Sequence, residues 1–292
     1  MERKELRFSI VIPCYNEARY IGATLESLLQ QKYSGDFEII VVDNNCTDDT
    51  VSIAQSYGVR VVSEERPGVC WARQAGTEVA NGEIVISTDA DTIQPENWLE
   101  NIDQSFKKSS DCVAVAGSCR FGDGPWWGKQ YPKLLFGLIS LIYKIIGRPI
   151  YITATNTAFK KSAWTKYHTN IAQGGDELAL LHDLKKEGKI VFDNTNPVYT
   201  SARRLSRGLV YNIFVTFIFY YLICYYLDRI FGRTLIGNAP AYRDSVPRRN
   251  TLSFAYLAVF LVLLVSVVHL PGHDTVVQQS YETFTYIKDK IF

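Results

Sequence analysis

Two aspartates one residue apart, Asp89 and Asp91, directly follow the apolar run EIVIS at 83–87. Carboxylates on one turn can both reach a divalent cation, and hard ions such as Mg²⁺ or Mn²⁺ prefer these oxygen ligands while keeping places for phosphate oxygens. The same spacing also suits an Asx-turn, or a cap for a helix that starts near Pro95. The position of the pair at the end of a strand favours a metal–phosphate site.

The elements before this turn alternate between apolar strands and amphipathic helices. The runs that read as strands are FSIVIP, FEIIVVDN, VRVVS and EIVISTDAD. Uninterrupted apolar strands are typical of a parallel sheet covered on both faces, and the alternation with helices predicts an α/β fold. Because ligands of such sheets bind beyond the carboxyl ends of the strands, we expect Asp43, Asp89 and Asp91 to lie together at that edge.

The middle of the chain has fewer regular patterns. A fifth strand is predicted at 112–117, a loop at GDGPWWG, a helix at 175–187 and a last strand at IVFDN. The apolar stretch at 134–146 is shorter than the ~20 residues that cross a bilayer. It therefore either packs on the domain or lies in a membrane surface.

Charge and cysteine content exclude several classes of protein. A net charge of +1 gives no electrostatic case for nucleic acid as a partner. None of the six cysteines shows zinc-site spacing, so we interpret them as small buried residues in a reducing compartment. The N-terminal apolar run is too short for a signal peptide, which predicts that this domain stays in the cytosol.

The last third of the chain predicts membrane attachment. Residues 252–270 form a run of 19 without an acidic or basic side chain, which predicts a transmembrane helix. The tyrosine-rich segment 209–231 fits a helix lying in the interface. The connection at 232–251 carries four arginines against Asp244, and a single span keeps these arginines cytosolic. The predicted domains are 1–205 (catalytic), 206–250 (interfacial helix and basic connection) and 251–292 (transmembrane helix and tail).

Four motifs in order make the chain resemble the family 2 glycosyltransferases, which have the GT-A fold. They are SIVIPCYNE, EIIVVDNNCTDDT, GVCWARQAG and ISTDADT, and the resemblance covers about residues 7–205. It implies a mixed, mainly parallel sheet flanked by helices. It also implies an enzyme that takes a sugar from a nucleotide-sugar with the help of Mg²⁺ or Mn²⁺.

The resemblance assigns the donor site residue by residue. Pro13, Tyr15 and Glu17 are implied to line the nucleotide base and ribose, and Asp43 to accept a hydrogen bond from the base. Arg73 is implied to lie near the ribose or the diphosphate. From the residues alone, Asp43 could instead cap a helix and Arg73 could lie on a solvated helix face.

The acidic residues are implied to bind the metal and to take part in proton transfer. Asp91 is implied to bind the metal directly, and Asp89 to contact the ribose or a metal-bound water. Chemistry also needs a carboxylate that takes the proton from the acceptor hydroxyl. The segment GGDELALLHDLKKEGKI resembles the acidic motif of the family with its two acids in reversed order. We favour Asp176 as this base, with Glu177 as the alternative, although both acids also suit a helix N-terminus.

A basic segment, SARRLSRG at 201–208, supplies cations for the leaving group. In related enzymes arginines at this place stabilise the departing diphosphate, which implies that role for Arg203 or Arg204. The segment could also anchor the chain to anionic lipid. Asn156 lies in TATNTAFKKSAW, which resembles a stretch near the acceptor and donor sugar. The Gln-x-x-Arg-Trp motif of processive synthases is absent, which favours transfer of a single sugar.

The resemblance thus implies an inverting glycosyltransferase, and the apolar C-terminal third predicts that it lies on the cytosolic face of the cytoplasmic membrane. Its expected partners are a nucleotide-sugar, with a UDP-sugar favoured, and a membrane-associated, lipid-linked acceptor. A polyprenyl-phosphate sugar synthase and a catalytically silent membrane adaptor with the same fold remain alternatives. An NAD oxidoreductase is disfavoured because no Gly-x-Gly-x-x-Gly follows the first strand.

Overall fold

The computed structural model describes residues 6–169 and 176–208, together with Tyr211, Asn212 and Phe219. The predicted interfacial helix at 209–231, apart from these three residues, and the predicted transmembrane helix at 252–270 lie outside the described residues. Within the described ranges, no helix combines the length and the apolar character needed to cross a bilayer.

The described chain forms one mixed sheet of eight strands covered by helices. The strands are β1 Phe8–Cys14, β2 Phe37–Asp43, β3 Arg60–Ser63, β4 Ile84–Ser87, β5 Thr92–Ile93, β6 Cys112–Phe121, β7 Thr157–Lys160 and β8 Lys189–Thr200. The helices are α1 Ile21–Leu29, α2 Thr50–Ser56, α3 Val69–Val79, α4 Trp98–Lys107, α5 Trp126–Ile146 and α6 Asp176–Glu187.

Strand direction determines which loops meet. The order in the sheet is β3-β2-β1-β4-β7-β6-β8-β5, and β1 pairs in parallel with both β2 and β4. Strand β7 is antiparallel to β4 and to β6, so β6 again runs in the direction of β4, and β8 is parallel to β6. The carboxyl ends of β1, β2, β4, β6 and β8 therefore share one edge with the start of β7. The prediction of a mixed, mainly parallel sheet is confirmed.

Alternating side chains of β1 build a core on each face of this sheet. Ile10 and Ile12 point to the face covered by α1, α2 and α4, while Val11 points to the face covered by α3, α5 and α6. Helix α3 lies very close to the sheet at Gly76, where an added Cβ would come within 2.4 Å of a Val11 methyl carbon. This layering holds the strand ends rigidly, and with them the loops that follow.

In the middle of the chain, the prediction for one segment is wrong, and two short strands were missed. The segment GDGPWWG is only partly a loop, because α5 begins at Trp126, directly after the extended Pro125. Proline suits the start of a helix, because an N–H at this position has no hydrogen-bond acceptor within the helix. Pro125 therefore marks the start of α5 and does not interrupt a helix. The short strands β5 and β7 were not predicted, since runs of two and four residues carry too little periodicity.

Candidate active site

The loops after β1 and β2 are joined by polar side chains at the shared edge. Asn16 adopts the left-handed conformation (φ 56°), and its Oδ1 accepts a hydrogen bond from the Thr47 N–H at 2.7 Å. The Ala18 N–H donates to Asp48 Oδ2 at 3.1 Å. Two loops that are 30 residues apart in sequence therefore form one surface. Tyr15 stands on that surface and is 41% exposed.

Asp43 ends β2 and shapes the turn that follows it. Its Oδ1 accepts a hydrogen bond from the Cys46 N–H at 2.8 Å, as in an Asx-turn. The neighbouring Asn44 is buried, and its amide donates to the carbonyls of Glu64 and Arg66, both at 2.8 Å. Sequence analysis missed Asn44, which fixes the loop leading into α3 next to the same edge.

Asp89 is held by residues from two other elements. Arg73, buried on α3, donates from Nη2 to Asp89 Oδ1 at 3.1 Å, and the Thr155 hydroxyl donates to Asp89 Oδ2 at 2.7 Å. Arg73 therefore does not lie on a solvated helix face. Thr155 was missed, although it adjoins Asn156. The Asp89 side chain remains 35% exposed, so a ligand at the sheet edge can reach it. The ion pair with the buried Arg73 balances its charge from the protein side.

Arg203 connects two acids that are far apart in sequence. Its guanidinium donates two hydrogen bonds of 2.7 Å to the Glu17 carboxylate, and its Nε lies 3.1 Å from Asp91 Oδ2. The same guanidinium stacks over the ring of Tyr20, with its carbon 4.8 Å from the ring centroid. The structure thus places Glu17, Asp91 and Arg203 in one ionic cluster, with side chains only 12%, 9% and 17% exposed respectively.

Electrostatics hold the Arg203 guanidinium in its charged form. Burial by itself would lower the pKa of Arg203, but the hydrogen bonds to Glu17 and the charge of Asp91 outweigh burial and raise it. Asp91 is fixed further, because its Oδ1 accepts from the Thr200 hydroxyl at 3.2 Å and its carbonyl accepts from the Ser201 N–H at 3.2 Å. These contacts follow from the pairing of β5 with β8, which brings Thr92 opposite Thr200.

Glu177, in the first turn of α6, holds a 3₁₀ turn at Ala154–Asn156. Its Oε1 accepts from the Ala154 N–H at 2.9 Å, and its Oε2 accepts from the Tyr151 hydroxyl at 2.7 Å. The next residue of that turn, Thr155, is the one that contacts Asp89. Glu177 therefore supports Asp89 through one short turn, and Tyr151 is a third residue that sequence analysis missed, after Asn44 and Thr155.

Three of the acids lie close enough to the buried Cys119 thiol to affect its pKa. Burial raises the pKa of this thiol to about 12, and the negative charges of Glu177, Asp89 and Asp91 add to the rise. The cysteine is therefore a neutral thiol beside the acids, as expected for a small packed side chain.

Asn156 joins three elements below the site. Trp98 Nε1 donates to its Oδ1 at 2.9 Å, and its Nδ2 donates to the carbonyls of Ser118 and Asn196, both at 2.9 Å. Gly117 leaves the necessary room, since an added Cβ there would come within 2.1 Å of Asn156 Nδ2. In the structure this residue is a buried structural support.

We expect Asn156→Ala to lower the free energy of unfolding by about 3 kcal/mol, because it leaves three buried polar groups without a partner. Urea unfolding followed by fluorescence measures the change. The exposed Asn97, next to Trp98, provides the control, and Asn97→Ala should leave the midpoint nearly unchanged. Equal midpoints for the two variants would contradict the supporting role of Asn156.

The donor set at this edge suits a hard cation that shares its ligands with phosphate. Asp89 and Asp91 are carboxylates on one turn, which is the ligand type that Mg²⁺ and Mn²⁺ prefer. Among the residues that the structure describes, no three Asp, Glu, His or Cys side chains cluster tightly enough to hold a metal by themselves. Two acids alone fit an ion that is completed by water and substrate oxygens, so the residues are compatible with Mg²⁺ or Mn²⁺.

The side chains of two predicted site residues lie outside the described part of the structure. Asp176 is the first residue of α6, and Arg204 lies in the 3₁₀ turn at Arg203–Arg207, but their side chains are not described. Their roles stay predictions. The other predicted residues are brought to one edge: Pro13, Tyr15, Glu17, Asp43, Arg73, Asp89, Asp91, Glu177 and Arg203.

Comparison with known families decides the class of this protein. The model of glycosyl transferase family 2 matches residues 9–167, which is more than half of the chain. The chain belongs to the family 2 glycosyltransferases. The matched region contains the loops after β1, β2 and β4, and with them Glu17, Asp43, Arg73, Asp89 and Asp91.

Two curated relatives resemble this family 2 glycosyltransferase over about two thirds of its length. Glycosyltransferase GlyG of Streptococcus pneumoniae is 27% identical over 214 residues, which cover 67% of this chain and 70% of GlyG. Glucosyl-dolichyl phosphate glucuronosyltransferase of Haloferax volcanii is 25% identical over 198 residues, which cover 61% of each chain.

Among solved structures, TarS of S. aureus in complex with UDP is similar to this glycosyltransferase, with a TM-score of 0.55 and 18% identity. The match covers 69% of this chain and 64% of the TarS chain. At this identity the likeness shows the fold alone. It confirms the GT-A arrangement predicted from the sequence.

Proposed function

We propose that this chain transfers a single sugar from a nucleotide-sugar, with a UDP-sugar favoured, to a lipid-linked acceptor at the cytosolic face of the membrane. Transfer proceeds with inversion and requires Mg²⁺ or Mn²⁺. The observation that carries the proposal is the meeting of Asp89, Asp91, Arg73 and Arg203 at the carboxyl edge of the sheet. That edge is where α/β proteins bind their ligands.

The ion pairs at this edge suit binding of a metal–diphosphate. Arg203 forms ion pairs with both Glu17 and Asp91. A bound cation would supply positive charge to Asp91, while the diphosphate would supply negative charge to Arg203. The exchange leaves each buried charge with a partner, so it avoids the large cost of an unpaired buried ion. It also leaves Glu17 able to accept hydrogen bonds from the nucleotide.

The donor nucleotide would bind on the joined loops after β1 and β2. Tyr15 offers an exposed ring for stacking against the base, and Asp43 offers a carboxylate at the end of β2. Arg73 holds Asp89 in place through the 3.1 Å hydrogen bond. The metal, when bound, would stabilise the negative charge that develops on the diphosphate.

Helix α6 carries the residues that act on the acceptor. Glu177 already accepts hydrogen bonds from Ala154 and Tyr151, which suits it for positioning and leaves Asp176 as the proposed base. The hydroxyl proton of the acceptor passes to Asp176, the acceptor oxygen bonds to the anomeric carbon, and the bond from that carbon to the diphosphate breaks. The nucleoside diphosphate leaves, and the displacement inverts the anomeric centre.

A membrane-bound acceptor is supported by the apolar run at 252–270 and by the similarity to the Haloferax relative, whose name includes a dolichyl phosphate. The test incubates the full chain in native membranes with a panel of radiolabelled UDP-sugars and Mn²⁺. Label should enter the organic-soluble fraction and should not do so with Asp91→Ala. Label found only in water-soluble product would overturn the acceptor proposal.

We expect Arg203→Ala to lower the transfer rate about a hundredfold, because it removes charge stabilisation of the leaving group. Arg203→Lys should recover only part of the rate, since an ammonium does not form the paired hydrogen bonds of a guanidinium. Arg207 lies on the same 3₁₀ turn and contacts Tyr211, so Arg207→Ala is the matched control. Equal rates for the two alanine variants would refute a role of Arg203 in the transition state.

A further inference from the structure

Helix α5 carries an apolar stripe on its outward face. Leu134, Leu138, Leu141 and Ile145 are 74%, 55%, 55% and 74% exposed, respectively. At 100° per residue these four positions fall within an arc of about 60°, so they form one continuous stripe. The opposite face of the same helix is buried against the sheet through Phe136 and other core residues.

A continuous apolar stripe requires an explanation, whereas a single exposed leucine does not. Isolated apolar side chains are common on protein surfaces, but contiguous ones mark a surface that contacts something apolar. Exposed apolar side chains also occur at both ends of the helix. Ile146, its last residue, and Ile150, just beyond it, are 53% and 45% exposed, and Trp126, its first residue, is 79% exposed. The stripe itself lies on the C-terminal part of the 21-residue helix.

The charges beside the stripe identify its partner. The segment 124–175 contains no aspartate or glutamate, while Lys129, Lys133 and Lys144 are exposed on α5 and Arg148 is exposed just after it. The three lysines lie about 80–140° to one side of the stripe, between it and the buried face. Apolar residues flanked by cations on one helix are typical of a helix lying in an anionic membrane surface.

Protein partners from this chain fit less well. A second copy would bring the same cations together, since an α5–α5 contact carries no acid on either side. The segment 206–250 of the same chain has six arginines against two aspartates, so it too would oppose like charge. Anionic lipid headgroups complement the cations without this repulsion.

The position of α5 relates this surface to the active site. An added Cβ at Gly128, in its first turn, would come within 2.3 Å of Leu205 Cδ1, and one at Gly124 would come within 2.5 Å of Ala202 Cβ. The start of α5 therefore packs on the turn that carries Arg203. A bilayer held along α5 would lie next to the edge where the sugar is transferred.

We propose that α5 is a membrane-docking helix that lies in the plane of an anionic bilayer. Its stripe inserts into the acyl boundary, and its lysines extend to the headgroups. The inference concerns how the catalytic domain sits on the membrane, and it stands whether or not the acceptor is lipid-linked.

The test uses the full chain in nanodiscs of phosphatidylcholine and phosphatidylglycerol, without donor or acceptor. An environment-sensitive fluorescent amino acid replaces Leu138, and in a control protein it replaces Ser52, which is exposed on α2 at the other face of the sheet. Lipids with a nitroxide on the acyl chain should quench the probe at 138 about threefold more than the probe at 52. Equal quenching at the two positions would overturn the proposal.

Two further outcomes separate the lipid from protein partners. A blue-shifted probe at 138 that nitroxide lipid does not quench would show that protein covers the stripe, and would also overturn the proposal. Replacing Lys129, Lys133 and Lys144 by glutamate should reduce quenching at 138 about threefold in the anionic discs. Unchanged quenching in this variant would contradict the part assigned to anionic headgroups. Because no sugar transfer is measured, the result is independent of the proposed reaction.

Discussion

Asp91→Ala should lower the rate of sugar transfer about a thousandfold, because it removes the carboxylate proposed to hold the metal on the diphosphate. The structure gives a second reason. Asp91 and Glu17 share the guanidinium of Arg203, so loss of Asp91 leaves this cation held by Glu17 at the nucleotide side. Rates at saturating donor and acceptor, with Mn²⁺ varied, measure both effects.

The control for Asp91→Ala is Asp111→Ala, which removes an exposed carboxylate directly before β6, at the opposite edge of the sheet. This variant should keep the wild-type rate and metal dependence. Unfolding midpoints of both proteins show whether the fold survives, since Asp91 also accepts hydrogen bonds from Thr200 and Ser201. A folded Asp91→Ala protein with more than half of the wild-type rate would rule out the metal role.

Asp176→Asn should lower kcat by about a thousandfold while donor binding stays unchanged, because an amide cannot take the acceptor proton. The nucleotide loops lie after β1 and β2, so they do not depend on this side chain. Steady-state rates together with a direct measurement of UDP binding separate the two quantities. Unchanged kcat would contradict the base and would point to an acceptor that needs none, as in a polyprenyl-phosphate sugar synthase.

Glu177→Gln is the matched comparison, since it changes the neighbouring acid in the same way. Glu177 receives the Ala154 N–H and the Tyr151 hydroxyl, and an amide can keep one of these contacts. We therefore expect a smaller loss, about tenfold, accompanied by a lower unfolding midpoint. A larger loss of kcat in Glu177→Gln than in Asp176→Asn would exchange the two assigned roles.

The sequence predicted the part of the fold that has strong periodicity. Strands β1, β2 and β4 are apolar runs that end in polar residues, so both their buried character and the edge that carries Asp43 and Asp89 could be inferred. Strand β7 and the first turns of α5 could not. Strand β7 is only four residues long, and α5 directly follows Pro125, which resembles a loop signal.

Local patterns also could not reveal which site residues touch. The pair formed by Glu17 and Arg203 spans 186 residues, and it arises because β1 and β8 end at the same edge. Thr155 contacts Asp89 through a 3₁₀ turn that no short motif predicts. The residue types were predictable from their chemistry, whereas their partners follow from sheet topology.

Release of nucleoside diphosphate by the full chain, measured in membranes across a panel of nucleotide-sugars with Mn²⁺ or Mg²⁺, tests the central claim most directly. The account predicts release from a UDP-sugar that needs the added metal, and almost none from Asp91→Ala. Release that is equal in the two proteins, or that persists when the metal is chelated, would contradict a metal–diphosphate site at the Asp89–Asp91 turn.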